Sequence, residues 1–178
     1  IEANLRRWCA YSEAKIYFED RTPVDGGFPE QITINEKFRV DGELMTYYSA
    51  PDGTEVVMAF DPLPTYGFYN RGLTLAFTDS GDNVFSIQQS RALSQISLRI
   101  KSRYLEHTLS RDTVVRDGNY VRAMRHVHDA QQILVRGLIF EILELAAEPE
   151  WEYGDLQRYI MLMDFLANER SLDGGLEP

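Results

Sequence analysis

The chain has 178 residues, 44% of them hydrophobic and 26% charged, with a formal net charge of −10. That length suits a single domain over 1–178 with a sizeable core, and the composition excludes wholesale disorder. No apolar run approaches the roughly 18 residues needed to cross a bilayer, and no signal-peptide pattern opens the chain.

Charge is segregated along the sequence. Residues 1–90 hold 7 basic and 14 acidic side chains, 91–136 hold 9 and 4, and 137–178 hold 2 and 10. An acidic protein repels nucleic-acid phosphate at long range, so nucleic acid is not an expected partner. Only the middle segment offers an anionic ligand a favourable field. The single cysteine, Cys9, excludes an internal disulfide and a cysteine-cluster metal site, and it fits a reducing compartment such as the cytoplasm. The first residue is Ile1 rather than Met, which fits a fragment whose upstream part would hold any targeting signal.

In chain order, residues 1–13 read as a short helix with Leu5, Trp8 and Cys9 on one side. Lys15–Glu19 is rich in β-formers and reads as a first strand. Pro23, Gly26, Gly27 and Pro29 make 20–29 a loop. From Gln31 the period is two, with Ile32, Ile34, Phe38 and Val40 on one face; Asp41-Gly42 follows as a tight-turn dipeptide. Residues 43–49 return, and Pro51-Asp52-Gly53 turns into 54–61, giving a three-stranded meander. Residues 61–72 break the pattern with two prolines, two glycines and the aromatics Tyr66, Phe68 and Tyr69. Residues 73–77 and 83–88 read as a further hairpin, and 95–105 as a last strand with Ile96, Leu98 and Ile100 inward. The expected fold is α+β: six or seven antiparallel strands over about 15–105 in a strongly bent sheet or small barrel, after a short N-terminal helix.

A C-terminal helical hairpin follows, spanning 118–170. Gly118–Glu148 contains no proline and repeats apolar residues at helical spacing, giving a rod roughly 40 Å long. Pro149 stops it. A second helix over about 155–170, with Asp155 as N-cap, carries the stripe Leu156, Tyr159, Ile160, Met163 and Leu166. The polar, glycine-rich 171–178 reads as a frayed end.

Catalytic constellations are not found, and no cofactor is expected. No G-x-S-x-G elbow or glycine-rich phosphate loop occurs. His126 and His128, two apart on a helix, point about 200° apart and cannot converge on one ion from that helix. Asp79, Asp82 and Asn83 lack the alternation of a calcium loop. A basic stripe remains: Arg99, Lys101 and Arg103 on one strand face, with Arg91, Arg111, Arg116, Arg122 and Arg125 around it. The Arg99-x-x-x-Arg103 spacing resembles the arginine pair with which PilZ-type barrels hold a cyclic dinucleotide. In that family the pair precedes the barrel and a D-x-S-x-x-G motif follows it; here the pair falls late and the motif is missing.

Two functional expectations result. The first is a non-enzymatic assembly module that oligomerises or docks a protein through the long helix, using Leu134, Leu138, Ile142 and Leu145, with Tyr66, Phe68 and Tyr69 as a further contact surface. The second is a binder of an anionic small molecule such as a nucleotide, held by Arg99, Lys101 and Arg103.

Overall fold

The computed structural model describes residues 1–20, 31–109 and 113–168. The loop expected over 20–29 (from residue 21 on), Arg111 and the tail 171–178 lie outside the described residues. The architecture is α+β. In order come helix α1 (Glu2–Cys9), strands β1 (Tyr17–Glu19), β2 (Gln31–Thr33), β3 (Glu43–Ser49), β4 (Glu55–Phe60), β5 (Tyr66–Asn70) and β6 (Leu73–Thr78), helix α2 (Ile87–Ala92), strand β7 (Ile96–Lys101), and helices α3 (Gly118–Ala147) and α4 (Tyr153–Asn168).

The strands form two sheets and no closed barrel. β1 and β2 pair on their own, and the main sheet is open with the order β3-β4-β7-β5-β6. The β3–β4 hairpin forms across Pro51–Gly53, where Gly53 adopts φ +84°. Asp41-Gly42 does not close a second hairpin, because β2 is spent after Thr33 on pairing with β1. Gly42 instead lets its backbone pass close to β4: a Cβ there would lie 2.6 Å from the Phe60 carbonyl oxygen.

Two further expectations are corrected. Tyr66–Asn70 is not a break but strand β5, antiparallel to β6 and parallel to β7. Its turn into β6 is Arg71-Gly72, both at positive φ (48° and 83°), the two-residue geometry that matches strand twist. Residues 83–88 are not a strand either. Ser86 caps α2 in a reciprocal box with Gln89, each side chain bonding the other's backbone N–H.

The main sheet is covered on both faces. On one, Val56, Met58, Phe60, Leu98 and Ile100 meet Met124, Val127, Leu134 and Leu138 of α3, with Leu162 and Phe165 of α4 closing the same core. On the other, Val57 and Ala59 pack with Val40 and Phe38. Double coverage explains why every residue of β4 after Glu55 is buried, and why the polar face of β7 is not a solvent face. Asp117 caps α3 by accepting from the Asn119 and Tyr120 amides. Glu148 leaves the helix with ψ 130°, as a residue before proline must. Asp155 lies inside the first turn of α4 rather than at its cap, and accepts from the Glu152 amide.

Candidate functional site

The residues proposed for docking fall on the wrong side of the long helix. Leu134 and Leu138 are completely buried, and Ile142 and Leu145 nearly so, all within the chain's own core. Together with Tyr120, Met124, Val127 and Gln131 they make a stripe with steps of three or four residues, which lies against the sheet. Tyr66, Phe68 and Tyr69 are buried as well, within β5; the Tyr66 hydroxyl donates to the Leu93 carbonyl at 2.8 Å. None of these seven residues is exposed to a partner.

A different apolar set is exposed. On α3 it comprises Ile133, Ile139, Phe140 (68% exposed) and Leu143; on α4, Tyr153, Leu156, Ile160 (58%) and Met163. With exposed Ala167, the α4 residues 153, 156, 160, 163 and 167 repeat at three and four, a seam of coiled-coil type. Phe140 and Leu143 lie roughly opposite Leu138 around α3, by 100° per residue. The hairpin is held in place by Arg158, whose Nε meets Glu43 at 2.8 Å and whose guanidinium reaches Glu141 at 2.6 Å. These two contacts pin α4 to β3 and to α3. Trp151 packs on Tyr159 at the corner, with ring centroids 4.9 Å apart.

The basic stripe is divided by the fold. Arg99 is buried: its Nε donates to the Arg39 carbonyl at 2.7 Å, and its guanidinium lies over the rings of Phe77 and Tyr11. Lys101 pairs with Glu55 at 2.7 Å and sits over the Phe38 ring. Arg103 lies past the end of β7 and donates to the Tyr104 hydroxyl. Arg116 bonds the Asn83 and Phe85 carbonyls. Arg99 therefore does not join Lys101 and Arg103 in a common site. Lys101, Ser102 and Arg103 instead line a polar concavity of about 330 Å³ with Arg71, Glu13 and the Pro51–Gly53 turn. Arg71 has no sequence signal as a site residue; the β5–β6 turn delivers it there.

Asp52 of that turn faces α3. Burial works against its charge, but hydrogen bonds from Thr54 and the adjacent His126 outweigh it and hold the carboxyl below its ordinary value. His126 lies between Asp52 (3.4 Å) and Asp129 (3.8 Å), and Tyr48 donates to Asp129 at 3.2 Å. Among the described residues no three histidine, cysteine or carboxylate side chains are grouped to hold a metal ion. A separate, more apolar concavity of about 620 Å³ lies between α1 and β6, lined by Trp8, Leu73, Leu75, Leu105 and His107 among others. No described helix is long and apolar enough to cross a membrane.

No protein-family model and no curated protein matches the chain.

Proposed function

We propose that the protein is a non-enzymatic assembly module, which holds another helix against the outer face of its C-terminal hairpin. The observation that carries this reading is the seam Tyr153, Leu156, Ile160, Met163 and Ala167. It is apolar, exposed, and regular over the length of α4, while Leu162 and Phe165 of the same helix already serve the core. A helix apolar on two sides is suited to contact on two sides. The docking surface is thus built from Ile139, Phe140 and Leu143 together with the α4 seam, in place of Leu134, Leu138, Ile142 and Leu145. The lone Cys9 suits a cytoplasmic setting.

The test uses a neutral amphipathic helix, with leucine at heptad positions and glutamine flanks, and fluorescence anisotropy with the full chain. Sedimentation velocity at high salt, in parallel, covers a second copy as the docked helix. Binding or self-association that is lost in Leu143→Ser with Ile160→Ser supports the reading. A strict monomer that captures no amphipathic helix, whatever the charge of its flanks, overturns it.

A second reading, an anion site, is favoured by one observation: Arg71, Lys101 and Arg103 line the same polar concavity. Inorganic pyrophosphate is the direct probe of it.

A further inference from the structure

We infer that the helix docked on the outer hairpin face is basic: an amphipathic segment of another protein, apolar along one stripe and flanked by lysine or arginine. This rests on the docking reading and names its partner. The argument starts from the charge beside the seam. Between residues 133 and 168, the reach of the exposed apolar set, the chain carries seven acidic side chains and two basic. Arg158 is already engaged by Glu43 and Glu141 inside the fold, and Arg136 is exposed on α3 one turn before Phe140, away from the acidic corner. Glu144 is exposed on α3 beside Phe140 and Leu143, Glu148 is exposed where the chain leaves that helix, and Glu150 and Glu152 occupy the corner that leads into Tyr153. Among the described residues no basic side chain pairs with Glu144, Glu148, Glu150 or Glu152.

An incoming helix that lies across Phe140, Leu143 and the start of the seam at Tyr153 brings its own flanking positions to this acidic rim, as the flanking positions of a coiled coil do. A second copy of the chain would bring the same acidic rim, and like charges facing one another across an interface are costly. Lysine or arginine flanks turn that repulsion into attraction. The apolar seam then supplies the contact area, while the rim supplies orientation and choice of partner.

The experiment compares three helical peptides that share one leucine heptad stripe and differ only in their flanks: lysine, glutamine or glutamate. A fourth peptide carries the same lysines with the stripe scrambled. Anisotropy with the full chain at low and physiological salt is expected to show the lysine helix binding about tenfold or more tighter than the glutamine helix. The advantage should shrink with salt, and the glutamate and scrambled peptides should not bind. Glu144→Gln with Glu148→Gln should erase the preference for lysine and leave binding of the glutamine helix unchanged. Equal binding of the lysine and glutamine helices overturns the inference and leaves the docking reading standing. Equal binding of the lysine and scrambled helices also overturns it, because charge alone is then being read. Failure of the glutamine and lysine helices alike, with a monomer in sedimentation, removes both.

Discussion

The Arg99 Nε donates to the Arg39 carbonyl at 2.7 Å, and this bond ties the middle of the main sheet to the segment that covers its second face. Arg99 is nearly buried, stacked with Phe77 and Tyr11, and reaches the Tyr69 hydroxyl at 3.4 Å. It is thus a structural cation, and Arg99→Met should cost about 2–3 kcal/mol, the worth of charge-assisted bonds left without their donor. Urea denaturation measures this. A variant as stable as the parent would return Arg99 to the pool of ligand-binding candidates.

The two sides of α3 should answer differently to truncation. Leu138 is fully buried against the sheet, so Leu138→Ala should lose about 2–5 kcal/mol. Phe140 is largely exposed, so Phe140→Ala should change stability by no more than about 0.5 kcal/mol while weakening helix capture. Equal losses at the two positions would mean that the outer stripe is covered within the chain.

These two residues also show what the sequence could reveal. The long helix was legible because it has no internal proline and Pro149 ends it, and the β3–β4 hairpin because Pro51-Asp52-Gly53 turns it. Which stripe of α3 is core was harder to read, since apolar residues nearly encircle its second half. The decisive signal is length: the stripe from Tyr120 through Leu138 to Leu145 runs the whole helix, as a sheet-backing face must, whereas the outer set begins only near Ile133. Strand β5 was hidden by the prolines and glycines around it. Helix α2 carried a readable capping box at Ser86 and Gln89. The burial of Arg99 was not readable, because Tyr11, Arg39 and Phe77 reach it only through the fold.

Alkaline conditions should unfold the protein through its buried tyrosines. Burial pushes Tyr66 and Tyr69 up to about 12, with Asp61 and Asp82 adding at Tyr66 and Arg99 opposing at Tyr69; burial raises Tyr120 as well. Each folded-state value lies above the ordinary 10, so the stability linked to these groups is whole below pH 10 and is lost as pH climbs through 10 to 12. For Tyr66 and Tyr69 the displacement corresponds to roughly 3 kcal/mol each. Urea midpoints taken across this range should fall, and phenolate absorbance should show a late step that coincides with loss of helix. A single titration of all the tyrosines centred near pH 10, with the helix intact throughout, would contradict the burial of these rings.

The acid limb should depend on Asp52. Its carboxyl is held below the ordinary value, so its contribution is complete above that value, near pH 4, and drains away as pH falls further. Below about pH 4, melting temperatures should therefore drop more steeply for the parent than for Asp52→Asn, which is less stable at pH 6 and narrows its gap to the parent as pH falls. Parallel curves would show that the bonds from Thr54 and His126 do not favour the ionised form.

Anion binding offers a last comparison, since it separates the exposed cations from the buried one. If Arg71 and Arg103 hold an anion beside Lys101 and Ser102, millimolar pyrophosphate should raise the melting temperature by mass action. The shift should vanish in Arg71→Asn with Arg103→Ala; asparagine is chosen because position 71 has φ 48°, which it tolerates. Arg99→Met should lower the starting melting temperature yet keep the pyrophosphate shift, because its guanidinium is turned toward Arg39 and Tyr69 rather than into that concavity. Chloride at matched ionic strength controls for screening, and an equal shift with chloride would assign the effect to general charge relief in an anion-free pocket.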